Sequence, residues 1–366
     1  MNIKSLLLGS AAALVAVSGA RAADAVVVAE PEPAEYVRIC DVYGAGYFYI
    51  PGTETCLRIG ASMRYDIGVG DLDGRKAYDL QDDKINDTYY KHAQVRVRTW
   101  TGQETELGTL KTFAEFRMNY GSGSETHANY SLDTTTNFAY MQLGGFRVGI
   151  DESAFSTFLG YAGNVTNDTL IHYGSFTTGV LQYYFDGGNG FSGVVSLEEG
   201  SHDGGYGPNT IDSYVPHVIG GVKFTQGWGS IGGVIGYDSN VEKITGKVRA
   251  DVKVSDQLSL FAMFGYGSYD DRNGVNGAYG DWNKAWLGHW AAFGGATYDV
   301  NEKVQLNAQL SYESAKTFAL AANVAYSPVP GFQIIPELNY KHYSRGDYWA
   351  VNDDAWGGII RFQRDF

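Results

Sequence analysis

The segment from Leu57 to Val69 alternates two kinds of side chain with a period of two. Its odd positions are all apolar or aromatic, whereas its even positions are glycine, serine, two arginines and an aspartate. Successive side chains of a β-strand point to opposite faces, so this segment predicts a strand with one apolar and one charged face. The same alternation returns at 242–254 and 303–313. We therefore predict an all-β chain.

Extended segments of this kind can be counted from residue 57 to residue 366, and there are sixteen of them. The connections between them alternate between tight turns and longer stretches, with short exceptions at 239–241 and 314–315. This asymmetry is typical of an up-and-down barrel that crosses a membrane, with turns on the periplasmic side and long loops outside. The segments are 57–69, 92–101, 109–120, 136–144, 145–151, 179–186, 191–198, 217–226, 230–238, 242–254, 257–268, 288–299, 303–313, 316–327, 331–343 and 355–366.

The alternation also decides which face of each strand points outward. A soluble barrel of sixteen strands would enclose its apolar faces in a cavity too wide for side chains to fill. With the faces reversed, apolar side chains meet lipid and charged side chains line a water-filled lumen. Aromatic residues at both ends of the apolar faces, such as Trp290 and Tyr298, fit the two interfacial girdles. The sequence therefore predicts a 16-stranded antiparallel transmembrane β-barrel.

Three regions are predicted along the chain. Residues 1–22 combine a basic residue, a short apolar run and an A-x-A site, which is typical of a secretory signal peptide. No run of the chain is long and apolar enough for a transmembrane helix. Residues 23–56 are predicted as an N-terminal segment on the periplasmic side, in which Cys40 and Cys56 form a disulfide because the exported chain meets an oxidising compartment. Residues 57–366 are predicted as the barrel.

Charge and motifs exclude several function classes. The formal net charge is −14, and it becomes −16 without Lys4 and Arg21 of the signal peptide. Nucleic acid is therefore not an expected partner, since it requires a basic surface. No G-x-S-x-G or H-E-x-x-H motif occurs, and the aspartate pairs of the long loops do not fit EF-hand spacing. We predict no enzyme, no cofactor and no metal site.

Five longer motifs carry a family resemblance. They are RICDVYGAGYFYIPGTETCLRIG (38–60), ETELGTLKTF (104–113), QLGGFRVGIDESAF (142–155), GGNGFSGVVSLEEG (187–200) and AWGGIIRFQRDF (355–366). With them the chain resembles the major porins of alphaproteobacteria, of the Brucella and Rhizobium type. The resemblance implies homotrimers of sixteen-stranded barrels in the outer membrane, which pass small hydrophilic solutes by diffusion.

The resemblance also implies partners and a terminal signal. Phe366 resembles the terminal aromatic by which such barrels are recognised for membrane insertion, which makes the barrel-assembly machinery a partner. Arg364 departs from that signal, where an apolar residue is usual. Outer-membrane lipid and lipopolysaccharide would surround the barrel.

Charges of the predicted lumen indicate how solutes would pass. In general porins the third external loop folds into the lumen, and here the third long connection, 151–176, is also the longest. It carries three acids, and strand parity places two patches of basic residues on the lumen face. Basic groups facing acids across a narrow gap create a transverse field that favours ions and dipolar solutes. The acids are Asp151, Glu152 and Asp168, and the basic groups are Arg58, Arg64, Arg96, Arg98, Arg117 and Arg361, then Lys243, Lys247 and Arg249.

Several alternatives remain open on the sequence alone. The 151–176 connection could lie outside in solvent, and lumen charges could only solvate the interior. A solute-specific channel would show a lumen ladder of aromatics, but Phe113, Phe261 and Phe293 are predicted to be scattered. A barrel enzyme would need a third member beside His342 and Ser344. The acidic loops favour cations and the arginines oppose this, and we expect a preference for cations.

Overall fold

The computed structural model describes residues 38–122, 130–200, 210–269, 282–343 and 353–366. Within these ranges sixteen strands form one antiparallel barrel inside the compact unit Cys40–Phe366. The strands are β1 Cys56–Val69, β2 Tyr90–Thr105, β3 Gly108–Ser122, β4 Tyr130–Leu143, β5 Phe146–Glu152, β6 Thr177–Gly188, β7 Phe191–Glu198, β8 His217–Gln226, β9 Gly229–Asp238, β10 Lys243–Lys253, β11 Leu258–Gly267, β12 Trp290–Asn301, β13 Val304–Glu313, β14 Phe318–Val329, β15 Phe332–His342 and β16 Asp354–Asp365.

Each strand pairs with the next one, and β16 pairs with β1, where Arg361 lies opposite Asp66. This last pairing closes the ring and confirms the predicted sixteen-stranded barrel. On β13 the apolar side chains point outward and the polar ones, such as Asn307 and Gln309, are buried inside. The same polarity on β10 leaves Ile244 and Val248 exposed. Apolar side out is the arrangement that lipid requires. Among the described residues, no helix is long and apolar enough to span a bilayer.

The predicted alternation of short and long connections is present at the two ends of the barrel. The connection 70–91 differs from the prediction, because it is not a plain loop. It contains a helical turn, α1 Gly70–Asp73, and a hairpin made by Arg75–Tyr78 and Ile85–Thr88. The adjacent strand β2 also begins two residues earlier than predicted and continues to Thr105. Period-two patterns weaken at strand ends, where side chains leave the lipid-facing band, so the alternation alone does not mark where a strand begins or ends.

The C-terminal residue continues the ladder between the last and the first strand. Phe366 donates its N–H to the Ala61 carbonyl at 3.0 Å, and Ala61 donates back to the Phe366 carbonyl at 2.8 Å. Arg364 shares the outward parity of Ile360 and donates to the Pro330 carbonyl at 2.9 Å. Its charged end therefore reaches the turn at the rim while its stem follows the barrel wall, as long basic side chains do at a membrane interface.

The N-terminal segment is fixed to the inner wall at the short-turn end. Cys40 and Cys56 form the predicted disulfide. Phe48–Tyr49 pairs with the start of β1, and Tyr43 donates its hydroxyl to Glu104 on β2 at 3.0 Å. Residues 1–37, with the predicted signal peptide, lie outside the described residues.

Removing this disulfide is expected to loosen the segment and spare the barrel. A loop of this length contributes about 3 kcal/mol by restricting the unfolded chain. The closed barrel has a complete hydrogen-bond ladder of its own, so the Cys40→Ser/Cys56→Ser protein should still insert and conduct. Limited proteolysis should cut it between residues 40 and 56 faster than the parent protein. Failure to insert, or free thiols in the parent protein by mass spectrometry, would contradict this.

Candidate functional site

Residues 153–176, between β5 and β6, fold into the barrel, and we call them the inner loop. The loop begins with the helical turn α2 Ala154–Thr157, capped by Ser153, whose hydroxyl accepts the Phe155 N–H at 3.2 Å. Ala154 donates its N–H to Glu198 on β7 at 2.8 Å. Apolar side chains of the loop are buried against inward-facing residues of the wall, which makes a small core inside the lumen. Its members include Phe155, Leu159, Ile171, Tyr173, Val194, Ile219, Met263 and Phe293.

Basic residues of β10 hold the middle of the inner loop. Lys247 donates to the Tyr173 carbonyl at 2.8 Å, and Arg249 donates to the Tyr161 carbonyl at 2.5 Å. Both face the lumen as strand parity predicted, but they are only 2% and 8% exposed because the loop covers them. The prediction that Lys247 and Arg249 line the open pore is corrected accordingly. Lys243 is exposed at the outer end of the same strand.

Two carboxylates hold the tip of the inner loop. Glu337 on β15 accepts the backbone N–H groups of Thr166 and Asn167, the latter at 2.8 Å. Asp73 of α1 accepts the Asn167 side-chain amide at 2.6 Å. Burial raises the pKa of Asp73, although it accepts hydrogen bonds. Neither residue was predicted as functional, since each contact joins positions that are far apart in sequence.

A second external connection also reaches inward. Trp286, which follows β11 in the chain, is 1% exposed, and its ring lies 6.5 Å from that of Phe155. The Trp282 indole donates to Glu198, the residue that also holds the start of the inner loop, at 2.8 Å. The inner loop is therefore supported along β7 to β15.

Arginines cover the remaining wall, on β1 to β3 and β16. Arg96 lies opposite Arg117 in the sheet, and Arg98 lies opposite Glu115. Glu115 accepts from both Arg98 and Arg117, at 2.5 and 2.6 Å. Asp66 accepts from Arg361 at 2.8 Å. We call this group the arginine wall: Arg64, Arg96, Arg98, Arg117 and Arg361.

The arginine wall keeps an excess of positive charge. Four of the five guanidinium groups contact the two carboxylates Asp66 and Glu115, and Arg96 donates to the Gln94 side chain instead. All five are partly exposed to the lumen. Asp66 and Glu115 both lie on the lumen face of their strands, so strand parity could have predicted their position. The contact between Arg361 and Asp66 could be predicted only from the register in which β16 pairs with β1. Arg58 lies nearer the short-turn end, exposed, with its guanidinium 4.7 Å above the Trp100 ring.

The three predicted acids are all near the base or tip of the inner loop, but each has a partner. Asp151 is 7% exposed and forms an ion pair with Arg147, which sequence reasoning missed. Glu152 accepts the Tyr161 hydroxyl. Asp168 accepts the Tyr173 hydroxyl at 2.7 Å, and burial raises its pKa. Glu152 and Asp168 are therefore the acids without a basic partner among these contacts.

Comparison with known proteins decides the family. Residues 24–359 match the family described as the porin subfamily. The chain belongs to this porin family. This porin is 50% identical to porin Omp2b of Brucella neotomae and 51% identical to that of Brucella canis, with both chains covered completely.

Solved structures share the fold of this porin. The outer membrane channel DcaP of Acinetobacter baumannii aligns with a TM-score of 0.59 at 18% identity, over 87% of this chain and 99% of that one. An anion-selective porin from Comamonas acidovorans aligns with a TM-score of 0.54 at 11% identity, over 86% and 100%. This porin is thus an outer-membrane β-barrel and a general-diffusion channel.

The family indicates a channel rather than an enzyme. His342 does lie 2.9 Å from Asp354, at the outer rim, and Ser344 falls outside the described residues. In the ranges that the structure describes, no three His, Cys, Asp or Glu side chains come together as a metal-ligand set.

Proposed function

We propose that this porin passes small hydrophilic solutes and ions through a charged constriction between the arginine wall and the inner loop. The observation that carries the proposal is the division of the lumen into two sides. The inner loop lies against β7 to β15, and the arginine wall occupies β1 to β3 and β16. Solutes would then pass between a positive wall and an opposite side that carries Asp168 of the inner loop and Glu152 at the end of β5. Such a transverse field aligns water and slows apolar molecules of equal size.

The ion preference depends on the balance of these charges. The excess of the arginine wall favours anions locally, and the net charge of −14 for the whole chain favours cations. We retain the preference for cations as a prediction. The reversal potential in a salt gradient measures it directly.

We also propose that this porin forms a homotrimer in a membrane of lipid and lipopolysaccharide. The outward face of β1 to β5 and β16 includes the small residues Ala61, Ala93 and Ala114, which would allow close approach of a second copy in a homotrimer. Lipid and lipopolysaccharide would cover the rest of the outer face. Phe366 ends the ladder with its side chain exposed, which supports a role in recognition by the barrel-assembly machinery.

Planar-bilayer recordings of the purified porin test the proposal. We expect large, ohmic conductance that rises with salt without saturation, and closure in three equal steps at high voltage. Cross-linking in mild detergent should give a trimer band. Saturating conductance would indicate a solute-specific channel, and single-step closure with monomer alone on cross-linking would refute the trimer.

A further inference from the structure

Four aromatic side chains meet on the lumen face of β2 to β4, on the short-turn side of the arginine wall. Trp100 and Phe113 stack with ring centroids 5.3 Å apart, and Phe113 lies 5.4 Å from Phe138 and 5.6 Å from Tyr140. The register places Trp100 opposite Phe113, and Phe113 opposite Tyr140, so the rings form a row across the strands. We call these four residues the aromatic row. The sequence predicted that Phe113 is scattered. The structure instead places it in a cluster.

Guanidinium groups border both ends of the aromatic row. Arg58 lies opposite Trp100 in the sheet, with its guanidinium 4.7 Å above that ring. At the other end Arg147 lies 4.2 Å above the Tyr140 ring. Arg98 of the arginine wall is two residues from Trp100 on the same face of β2. A guanidinium group therefore lies at each end of a continuous row of rings.

The aromatic row is open to the lumen. All four rings are partly exposed, and the inner-loop contacts described above lie on the other side of the barrel. The N-terminal segment extends the aromatic surface at the rim, where the Tyr43 ring covers Gly102 and lies 5.8 Å from Tyr47. A side chain at Gly102 would approach the Tyr43 ring to 2.7 Å, so the ring would have to move. Unlike the apolar wall residues under the inner loop, these rings are not covered by that loop, and closing a barrel does not require apolar rings on an open lumen face.

We propose that the aromatic row is a low-affinity binding site for planar aromatic carboxylates that pass through the pore. The ligand ring would contact the exposed edges of the Trp100 and Phe113 rings, and its carboxylate would meet Arg58 or Arg98. Edge-on aromatic contact and charge-assisted hydrogen bonds would then act on one small molecule. The inference rests on the proposed function, because the site lies on the side of the lumen that the inner loop leaves open.

Benzoate and acetate, added to single channels in a bilayer, test this site. Benzoate is expected to reduce the current in a concentration-dependent and saturable way, whereas acetate of equal charge should not. Trp100→Leu and Phe113→Leu should each raise the half-blocking benzoate concentration about tenfold, because losing one aromatic contact weakens binding by about that factor. Phe116→Leu is the matched control, because Phe116 lies on the same strand but faces outward. It should leave the block unchanged.

The outcomes separate this inference from the proposed function. Equal block by acetate and benzoate, or an unchanged block in both Trp100→Leu and Phe113→Leu, would overturn the aromatic site while the channel itself remains. Absence of ohmic channels in the parent protein would overturn the proposed function. If one of the two leucine variants does not insert, the other decides. Phe113→Tyr keeps a ring and should keep the block, and its loss in that variant would also contradict the aromatic site.

Discussion

Replacing Arg64, Arg96 and Arg98 with glutamine is expected to shift the selectivity of the channel strongly toward cations. A unit charge about 10 Å from an ion in water changes its energy by about 0.4 kcal/mol before screening. Three such charges, partly screened, should change the cation-to-anion permeability ratio by about two- to fivefold. Reversal potentials in a tenfold potassium chloride gradient measure this ratio.

Neutralising the three acids on the other side of the pore should shift the selectivity toward anions, but by less. Asp151→Asn, Glu152→Gln and Asp168→Asn remove three negative charges, but Asp151 already forms an ion pair with Arg147. Asp256→Asn is the control, because Asp256 is exposed at the turn between β10 and β11 and faces bulk electrolyte. A shift from Asp256→Asn as large as that from the three acids together would mean that the inner loop is not the constriction.

The sequence predicted the barrel well because the barrel depends on a local rule. Period-two alternation fixes which side chains of one strand share a face, and this held for Arg64 as for Lys247. The rule says nothing of what covers that face. Lys247 lies under the inner loop and Arg64 does not, and only the path of a distant segment separates the two.

Contacts between distant segments explain the other errors as well. Glu337 has the same parity as many lumen residues, and nothing near it in sequence indicates that it meets residues 166 and 167. The aromatic row was missed for a related reason. Phe113 is isolated along its own strand, and its neighbours come from β2 and β4 through the register of the sheet.

Glu337 is expected to fix the width of the pore, although it lines the anchored side of the lumen. The residue is 3% exposed and accepts two backbone N–H groups of the inner loop and the Asn323 amide, the last at 2.9 Å. Glu337→Ala would leave these donors without a partner, at a cost of about 1–3 kcal/mol for each group that stays buried. The tip of the loop should then leave the wall or fluctuate. Because the barrel ladder does not involve the Glu337 side chain, the barrel should remain folded.

We therefore expect Glu337→Ala to change the open current and leave assembly intact. Single-channel records should show higher mean conductance with frequent brief fluctuations, and liposome swelling should admit larger sugars. Glu337→Gln keeps the shape and one acceptor oxygen, so its effect should be intermediate. Gln333→Ala is the control on the same strand, because Gln333 contacts Ser327 near the short-turn end and not the inner loop. If Glu337→Ala conducted as quietly as the parent protein, with the same sugar limit, the tip of the inner loop would not depend on this carboxylate.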